Sequence, residues 1–157
     1  MKNWNYDKRL QILNLNVKRM LFVVLTLTVE ACYAQTAKLT LHITNFSNRK
    51  GQVLIAIYKN ASGFPDNPTI ALFRKNVEIT GHSTIVDFQS LPYGKYAAVA
   101  LHDENSNTKL DANMVGYPKE GVAVSNGFKS SLRKPKFAES SFELSDHKTV
   151  RLEMNYY

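Results

Sequence analysis

Oxygen-bearing side chains recur at every second position in one segment of this chain. Asp103, Asn105 and Asn107 begin the series, and Asp111 continues it after a step at which Lys109 offers only its backbone carbonyl. Calcium takes about six to eight oxygen ligands from carboxylates, amides and backbone carbonyls, so this spacing predicts a calcium-binding loop. The candidate metal ligands are therefore Asp103, Asn105, Asn107, Lys109 and Asp111, with calcium as the cofactor.

Two departures from the helix–loop–helix calcium loop weaken this prediction. Thr108 stands where that loop has a glycine, and Met114 stands where it has a closing bidentate acid. Few charges surround the segment unless Glu104 or Glu120 folds back, which predicts weak binding, with a dissociation constant on the order of 10⁻⁴ to 10⁻³ M. Asp and Asn also bond their own backbone in turns, so the sequence leaves a purely structural loop open as the alternative.

The remaining polar residues form no recognisable catalytic group. The four histidines are widely spaced, and His42 and His102 alternate with apolar neighbours, which is typical of solvent-facing or hydrogen-bonded sheet positions. Two segments rich in proline and glycine, 60–69 and 115–136, are longer than hairpins require, and such loops commonly carry function. The sequence therefore predicts a non-enzymatic binding or structural module. A hydrolase with a site built from these two loops is the alternative.

The elements that must position these residues are short strands. Apolar and polar residues alternate with a period of two, which predicts strands and no long helix in the folded domain. Seven or eight such runs separated by turn signals predict an all-β fold, a single antiparallel β-sandwich. In the run 53–58 both alternating sets are apolar, which predicts a central strand covered on both faces. The runs cover residues 39–44, 53–58, 77–79, 86–88, 96–101, 122–124, 142–144 and 150–154.

The N-terminal segment reads as a targeting signal. A basic stretch precedes an apolar run at residues 20–29, which is too short to cross a bilayer but matches a secretory signal. Small residues then predict cleavage after Ala34, which makes 1–34 a signal peptide and 35–157 a secreted or periplasmic domain. Cys32 also lies in a sequence that loosely resembles the lipobox of bacterial lipoproteins, so an outer-membrane lipoprotein is the alternative. Cys32 is the only cysteine, so no disulfide stabilises the domain.

The balance of basic and acidic side chains limits the classes of partner that we expect. The whole chain carries a net charge of +7, and removal of the signal leaves 15 basic and 11 acidic side chains, a net charge of +4. No basic stripe is interleaved with stacking aromatic residues, so nucleic acid is excluded as an expected partner. We expect a protein or glycan partner at the cell envelope, and contact with a membrane only if Cys32 is lipidated.

Several short motifs follow one another along the chain, at residues 91–97, 101–105, 107–111, 116–121, 125–126 and 135–137. The first contains the Leu-Pro-x-Gly-x-Tyr element that ends at Tyr96, a tight turn entering a strand at the edge of the sheet, where the tyrosine hydroxyl is expected to bond backbone as in the tyrosine corner of sandwich folds. Together these motifs resemble the DUF2141 family of bacterial exported proteins. The resemblance spans roughly residues 39–156 and implies an immunoglobulin-like or prealbumin-like sandwich, with no established activity.

Overall fold

The computed structural model describes residues 4–27, 35–129 and 133–157. The chain divides into two units between Ala34 and Gln35. The first unit contains one helix, α1 (Trp4–Leu27), whose side chains from Lys8 to Met20 are exposed. In the described part of the chain, no helix combines the length and the apolar character needed to span a membrane.

The export predictions fall largely on residues that the structure does not describe. Both the predicted cleavage after Ala34 and the lipidation of Cys32 concern the segment 28–34, which lies outside the described residues. The assignment of a signal peptide over 1–34 therefore stays a prediction.

The second unit is an all-β sandwich, as predicted from the alternation. A three-stranded sheet has the order β4-β1-β8, and a five-stranded sheet has the order β3-β2-β5-β6, with β7 also paired to β5. A short helix, α2 (Phe137–Ser140), and two 3-10 turns lie in the connections. The strands are β1 (Thr36–Thr44), β2 (Gln52–Tyr58), β3 (Phe73–Glu78), β4 (Ser83–Pro92), β5 (Gly94–Asp103), β6 (Val122–Val124), β7 (Phe142–Leu144) and β8 (Lys148–Glu153).

The core lies between the inner faces of the two sheets. Along β1, Leu39, Leu41 and Ile43 are fully buried, while the residues between them remain partly accessible. The same period of two places Val53 and Ile55 of β2 in this core. Because successive side chains of a strand point to opposite faces, each strand also presents a second set of residues to the outside of the sandwich.

Two details differ from the sequence-based expectation. The sandwich is not antiparallel throughout, because β8 runs parallel to β1, with Leu41 opposite Val150. This pairing joins distant segments of the chain, so no local pattern specifies its direction. The strand entered by Tyr96 is also an internal one, with β2 on one side and β6 and β7 on the other, although we expected an edge strand. Its hydroxyl nevertheless donates a 2.6 Å hydrogen bond to the carbonyl of Pro92, as expected for a tyrosine corner.

Candidate functional site

The polar loop begins at Asp103, the last residue of β5, whose side chain is fully buried. Its carboxylate accepts three hydrogen bonds, from the backbone N–H of Asn107 (3.0 Å), the backbone N–H of Thr108 (2.9 Å) and the side-chain amide of Gln52 (3.0 Å). A carboxylate loses its hydration when it is buried, and N–H donors must replace that water. Asp103 therefore closes the loop back onto the end of its own strand.

The other predicted metal ligands join the same hydrogen-bonded loop. The carboxylate of Asp111 accepts bonds from the side-chain amides of Asn105 (2.6 Å) and Asn107 (3.2 Å). The side-chain oxygens of Asn105 and Asn107 in turn accept the backbone N–H groups of Asn107 (3.0 Å) and Lys109 (2.8 Å). The structure thus brings the five predicted residues together, and the side-chain oxygens of all but Lys109 accept N–H groups, from the loop itself and, for Asp103, also from Gln52.

The hydrogen bonds within the polar loop are relevant to the predicted calcium site. Within the described residues, no three His, Cys, Asp or Glu side chains come close enough together to hold a metal ion. In this arrangement, the side-chain oxygens that would ligate a cation accept N–H groups. Calcium binding stays a prediction, and the hydrogen bonds support the alternative of a loop that is organised without an ion.

Glu120 folds back onto the loop and fastens its far end. Its side chain is 4% exposed, and its carboxylate oxygens accept the backbone N–H of Glu104 (3.1 Å) and of Asp111 (3.1 Å). The backbone N–H of Lys119 also donates to the carbonyl of Asp111 at 2.8 Å. Two buried carboxylates, those of Asp103 and Glu120, therefore hold the segment at both of its ends.

His102 occupies a hydrogen-bonded position in the sheet, one of the two placements expected from its neighbours. Its ring is fully buried, with Nε2 2.9 Å from the carbonyl of Lys50 and Nδ1 2.7 Å from the hydroxyl of Tyr156. A carbonyl only accepts, so Nε2 carries a proton, while the Tyr156 hydroxyl lies within hydrogen-bond distance of Nδ1 and accepts the N–H of Ser47 (3.0 Å). Both ring nitrogens are thus occupied, and the ring is not free to act as a general base.

The backbone of Gly121 lies directly against the ring of Tyr156. A Cβ at this position would come within 2.5 Å of two ring carbons. The close approach lets Tyr156 reach His102, so the glycine sets the position of that hydroxyl.

The outer face of the three-stranded sheet is polar. Thr40 and His42 of β1 point outwards there, opposite Asp87 and Ile85 of β4. The carboxylate of Asp87 lies 2.8 Å from the Lys38 ammonium and accepts a 2.7 Å bond from the Thr40 hydroxyl. These two contacts, that of Lys38 first, hold the pKa of Asp87 below its ordinary value. This face has the character of a solvated sheet surface.

The outer face of the five-stranded sheet is aliphatic instead. The register places Leu54 of β2 beside Leu101 of β5, and Leu101 beside Val122 of β6. Ala56 and Val99 form the next row of the same face. Leu54, Val99, Leu101 and Val122 remain partly exposed. The sandwich therefore covers one sheet with polar groups and leaves an apolar surface on the other.

Two loops border this apolar surface and turn it into a groove of about 1130 Å³. One border consists of residues between Pro65 and Leu72, and the other is the tip of the polar loop, Thr108–Leu110. Asp103 bonds the N–H of Thr108, so the buried carboxylate positions that second border. The polar loop therefore forms part of the wall of this groove. We define the groove by its floor residues, Leu54, Ala56, Val99, Leu101 and Val122, together with these two borders.

The first border is anchored to the end of β2. The hydroxyl of Tyr58 donates a 3.1 Å bond to the carbonyl of Pro65, and the ring of Phe64 packs edge-on against that of Tyr58 at 5.3 Å between centroids. Burial, with a smaller contribution from the negative charge of Asp66, raises the pKa of Tyr58. Tyr58 is therefore a neutral, buried anchor for the loop.

The two long loops singled out from the sequence do meet. Asp66 forms a 2.8 Å ion pair with Lys134, and the ring of Phe64 contacts that of Phe137 at 5.9 Å between centroids. Ser125, which follows β6 in the second loop, is buried, and its hydroxyl bonds the backbone of Ala98 and Ser140. Within the described residues, the contact between the loops consists of an exposed ion pair and apolar packing, without a nucleophile bonded to a base.

Sequence reasoning identified the polar loop but not the groove. The sequence does contain a signal for an apolar outer face. Both alternating sets of residues 53–58 are apolar, and the same holds for 96–101 apart from its first position. We interpreted this signal in the first strand as coverage on both faces. Leu54 and Leu101 remain half-exposed because the two loops border the surface without closing over it.

Comparison with known proteins gives one family. A family model described as "Uncharacterized protein conserved in bacteria (DUF2141)" matches residues 41–151, which include nearly the whole sandwich. Neither the curated proteins nor the solved structures gave a significant match. The match names no activity, so a function has to be argued from the geometry.

Proposed function

Since this chain belongs to the DUF2141 family of uncharacterized bacterial proteins, we propose that it is a non-enzymatic, exported binding module. Its ligand occupies the groove on the outer face of the five-stranded sheet. Export rests on the basic stretch and the apolar run at residues 20–29. The binding role rests on the exposed apolar outer face of the five-stranded sheet.

The contrast between the two outer faces carries the proposal. Solvated sheets place polar residues outside, as Thr40 and Asp87 do on the three-stranded sheet. The five-stranded sheet instead leaves Leu54, Val99 and Leu101 partly exposed between two well-anchored loops. Contiguous exposed apolar surface is unfavourable in water and commonly marks an interaction site, so a ligand that covers it would gain hydrophobic free energy.

The residues that line the groove favour binding over catalysis. Among the described residues, the lining includes no histidine or cysteine, and its one carboxylate, that of Asp66, is paired with Lys134. General acid–base catalysis most often uses a histidine or a carboxylate within hydrogen-bond reach of the substrate. The other titratable groups of the lining are Tyr58, which bonds Pro65, and the cations Arg74, Lys75 and Lys109, so the groove favours binding over the hydrolase alternative.

The polar loop has a defined part in this proposal. Its buried acid Asp103 holds the backbone of Thr108 and so fixes the border formed by Lys109 and Leu110. A ligand site on rigid borders loses less conformational entropy when it binds than one on mobile loops. Calcium binding by the same loop remains a secondary proposal, in which the ion would stiffen this border further.

The proposal is tested by binding of an uncharged apolar dye, such as Nile red, to the full chain. We expect saturable binding that Leu101→Gln weakens about tenfold, because contact with one leucine side chain contributes roughly 1.5 kcal/mol. The matched control is Ile85→Gln on the outer face of the other sheet, where Ile85 is 66% exposed. Both variants keep helix α1, so a difference between them reports on the sandwich alone.

Comparison of the two variants distinguishes dye binding in the groove from nonspecific binding to other apolar surfaces. Dye binding that is lost in Leu101→Gln and retained in Ile85→Gln supports the groove. Equal affinity for wild type and Leu101→Gln, with unchanged circular dichroism, would show that the dye binds elsewhere and would refute the proposal.

A further inference from the structure

The side chains that line the groove indicate one chemical class of ligand. This inference rests on the binding function proposed above. The exposed floor is made of aliphatic side chains, of which Leu54, Val99 and Leu101 are the largest. Two aromatic residues also line the groove, but Tyr58 packs against Phe64 and Phe73 is tilted against Phe88. Sugars and bases bind best on exposed aromatic faces, whereas an aliphatic floor suits an alkyl chain.

The lining of the groove also carries positive charge, at Arg74 of β3 and at Lys109. Arg74 lies opposite Ala56 in the register and therefore points to the outer face. Lys109 is at the tip of the polar loop. In the part of the chain that the structure describes, neither side chain forms an ion pair, while the acid of the groove, Asp66, forms one with Lys134 at 2.8 Å. The third lining cation, Lys75, instead lies over the ring of Phe88.

The shape of the groove favours a small molecule over a peptide. Its volume of about 1130 Å³ lies just above the range of roughly 300–1,000 Å³ that is typical of small-molecule sites. A peptide could add a strand along the free edge of β3, but Arg74 and Lys75 place charges on that strand, and charged side chains discourage strand addition. The two loop borders also limit the length of a ligand that lies across the floor.

We propose that the groove binds a free single-chain amphiphile, in which an alkyl chain carries an anionic head group such as a carboxylate or phosphate. The chain lies on the aliphatic floor, where its burial removes apolar surface from water. The head group lies against the lining residues Arg74 and Lys109, where its charge is complementary to theirs.

The test compares three monomeric probes of equal chain length on the full chain: octanoate, octanol and octyltrimethylammonium. Calorimetric titration should show that octanoate binds about fivefold tighter than octanol, the ratio that one exposed ion pair supplies. Octyltrimethylammonium should bind most weakly because its positive charge is repelled by those of Arg74 and Lys109. Leu101→Gln should weaken all three probes.

The charge variants locate the head group. Arg74→Gln/Lys109→Gln should reduce octanoate binding to the level of octanol and leave octanol unchanged. The control Lys95→Gln/Arg151→Gln removes the same charge from residues outside the groove and should preserve the preference for octanoate. A preference that persists in the first double variant, or that disappears equally in both, would overturn the placement of the anion.

The outcomes also separate this inference from the proposed function. Equal binding of octanoate and octanol that still depends on Leu101 would overturn the anionic head group and leave the apolar groove intact. If no probe shows binding that depends on Leu101, both proposals fail.

Discussion

Replacement of Asp103 by asparagine tests the claim that a buried carboxylate organises the polar loop. The carboxylate accepts N–H groups from Asn107, Thr108 and Gln52. An asparagine side chain keeps one accepting oxygen, and its NH2 group can only donate. In its best orientation the NH2 faces Asn107, which retains a 3.0 Å bond to Asn105, while the bonds from Thr108 and Gln52 lose the contribution of the negative charge.

The cost follows from these contacts. A hydrogen bond to a charged group contributes about 1.5–3 kcal/mol and a neutral one about 0.5–1.5, so one lost and two weakened bonds amount to about 2–4 kcal/mol once the easier burial of a neutral group is included. The entropy of unfolding of a domain the size of residues 35–157 is roughly 0.26 kcal/mol/K, which converts this cost into a melting temperature lower by about 8–15 °C. Calorimetry of Asp103→Asn in chelator measures the shift.

A matched variant separates a hydrogen-bonded loop from a calcium site. Asp111→Asn removes a second predicted metal ligand, but its carboxylate is partly exposed and accepts only side-chain amides, so we expect a cost below about 1 kcal/mol. Ten millimolar calcium with a dissociation constant on the order of 10⁻⁴ M would add about 2.7 kcal/mol to the wild type and little to either variant. Equal melting temperatures of the two variants in chelator would refute the structural role of Asp103. A calcium-dependent gain lost in both would support the ion.

Two further predictions concern the packing around the loop and the turn before β5. Tyr96→Phe removes the 2.6 Å bond from the hydroxyl to the carbonyl of Pro92, and urea titration should show a free energy of unfolding lower by about 1–2 kcal/mol; stability equal to that of the wild type would contradict a tyrosine corner. Gly121→Ala forces a Cβ to within 2.5 Å of the Tyr156 ring and should cost about 1–3 kcal/mol, whereas Gly81→Ala, whose nearest neighbour is 3.6 Å away, serves as a neutral control.

The strands were predictable to the extent that one of their faces is buried. In β1 the buried residues Leu39 and Leu41 alternate with accessible ones, and the alternation alone locates the strand. β3 was expected at residues 77–79 but begins at Phe73, because Arg74 and its neighbours are exposed and leave no alternation to detect. Period-two patterning therefore finds strands that face the core and misses the exposed part of an edge strand.

The site was less predictable because it depends on the path of the backbone. The spacing of oxygens from Asp103 to Asp111 is the same whether those atoms surround a cation or accept N–H groups. The N–H groups of Asn107 and Thr108 that face Asp103 become visible only in the folded loop, and they support the hydrogen-bonded arrangement. The groove likewise requires the register that places Leu54, Leu101 and Val122 side by side, and these residues are far apart in sequence.

The parallel pairing of β1 with β8 has a consequence for the order in which the chain folds. β1 is the middle strand of its sheet, yet its partner Val150 lies 109 positions after Leu41. The buried side chains of Leu152 and Met154 complete the core from this same end of the chain. A nascent chain that has not yet reached these residues cannot close the sandwich, and pairing over such a separation is intrinsically slow. Late closure of the sandwich would keep the polypeptide able to pass through a narrow channel, which suits the export that we propose.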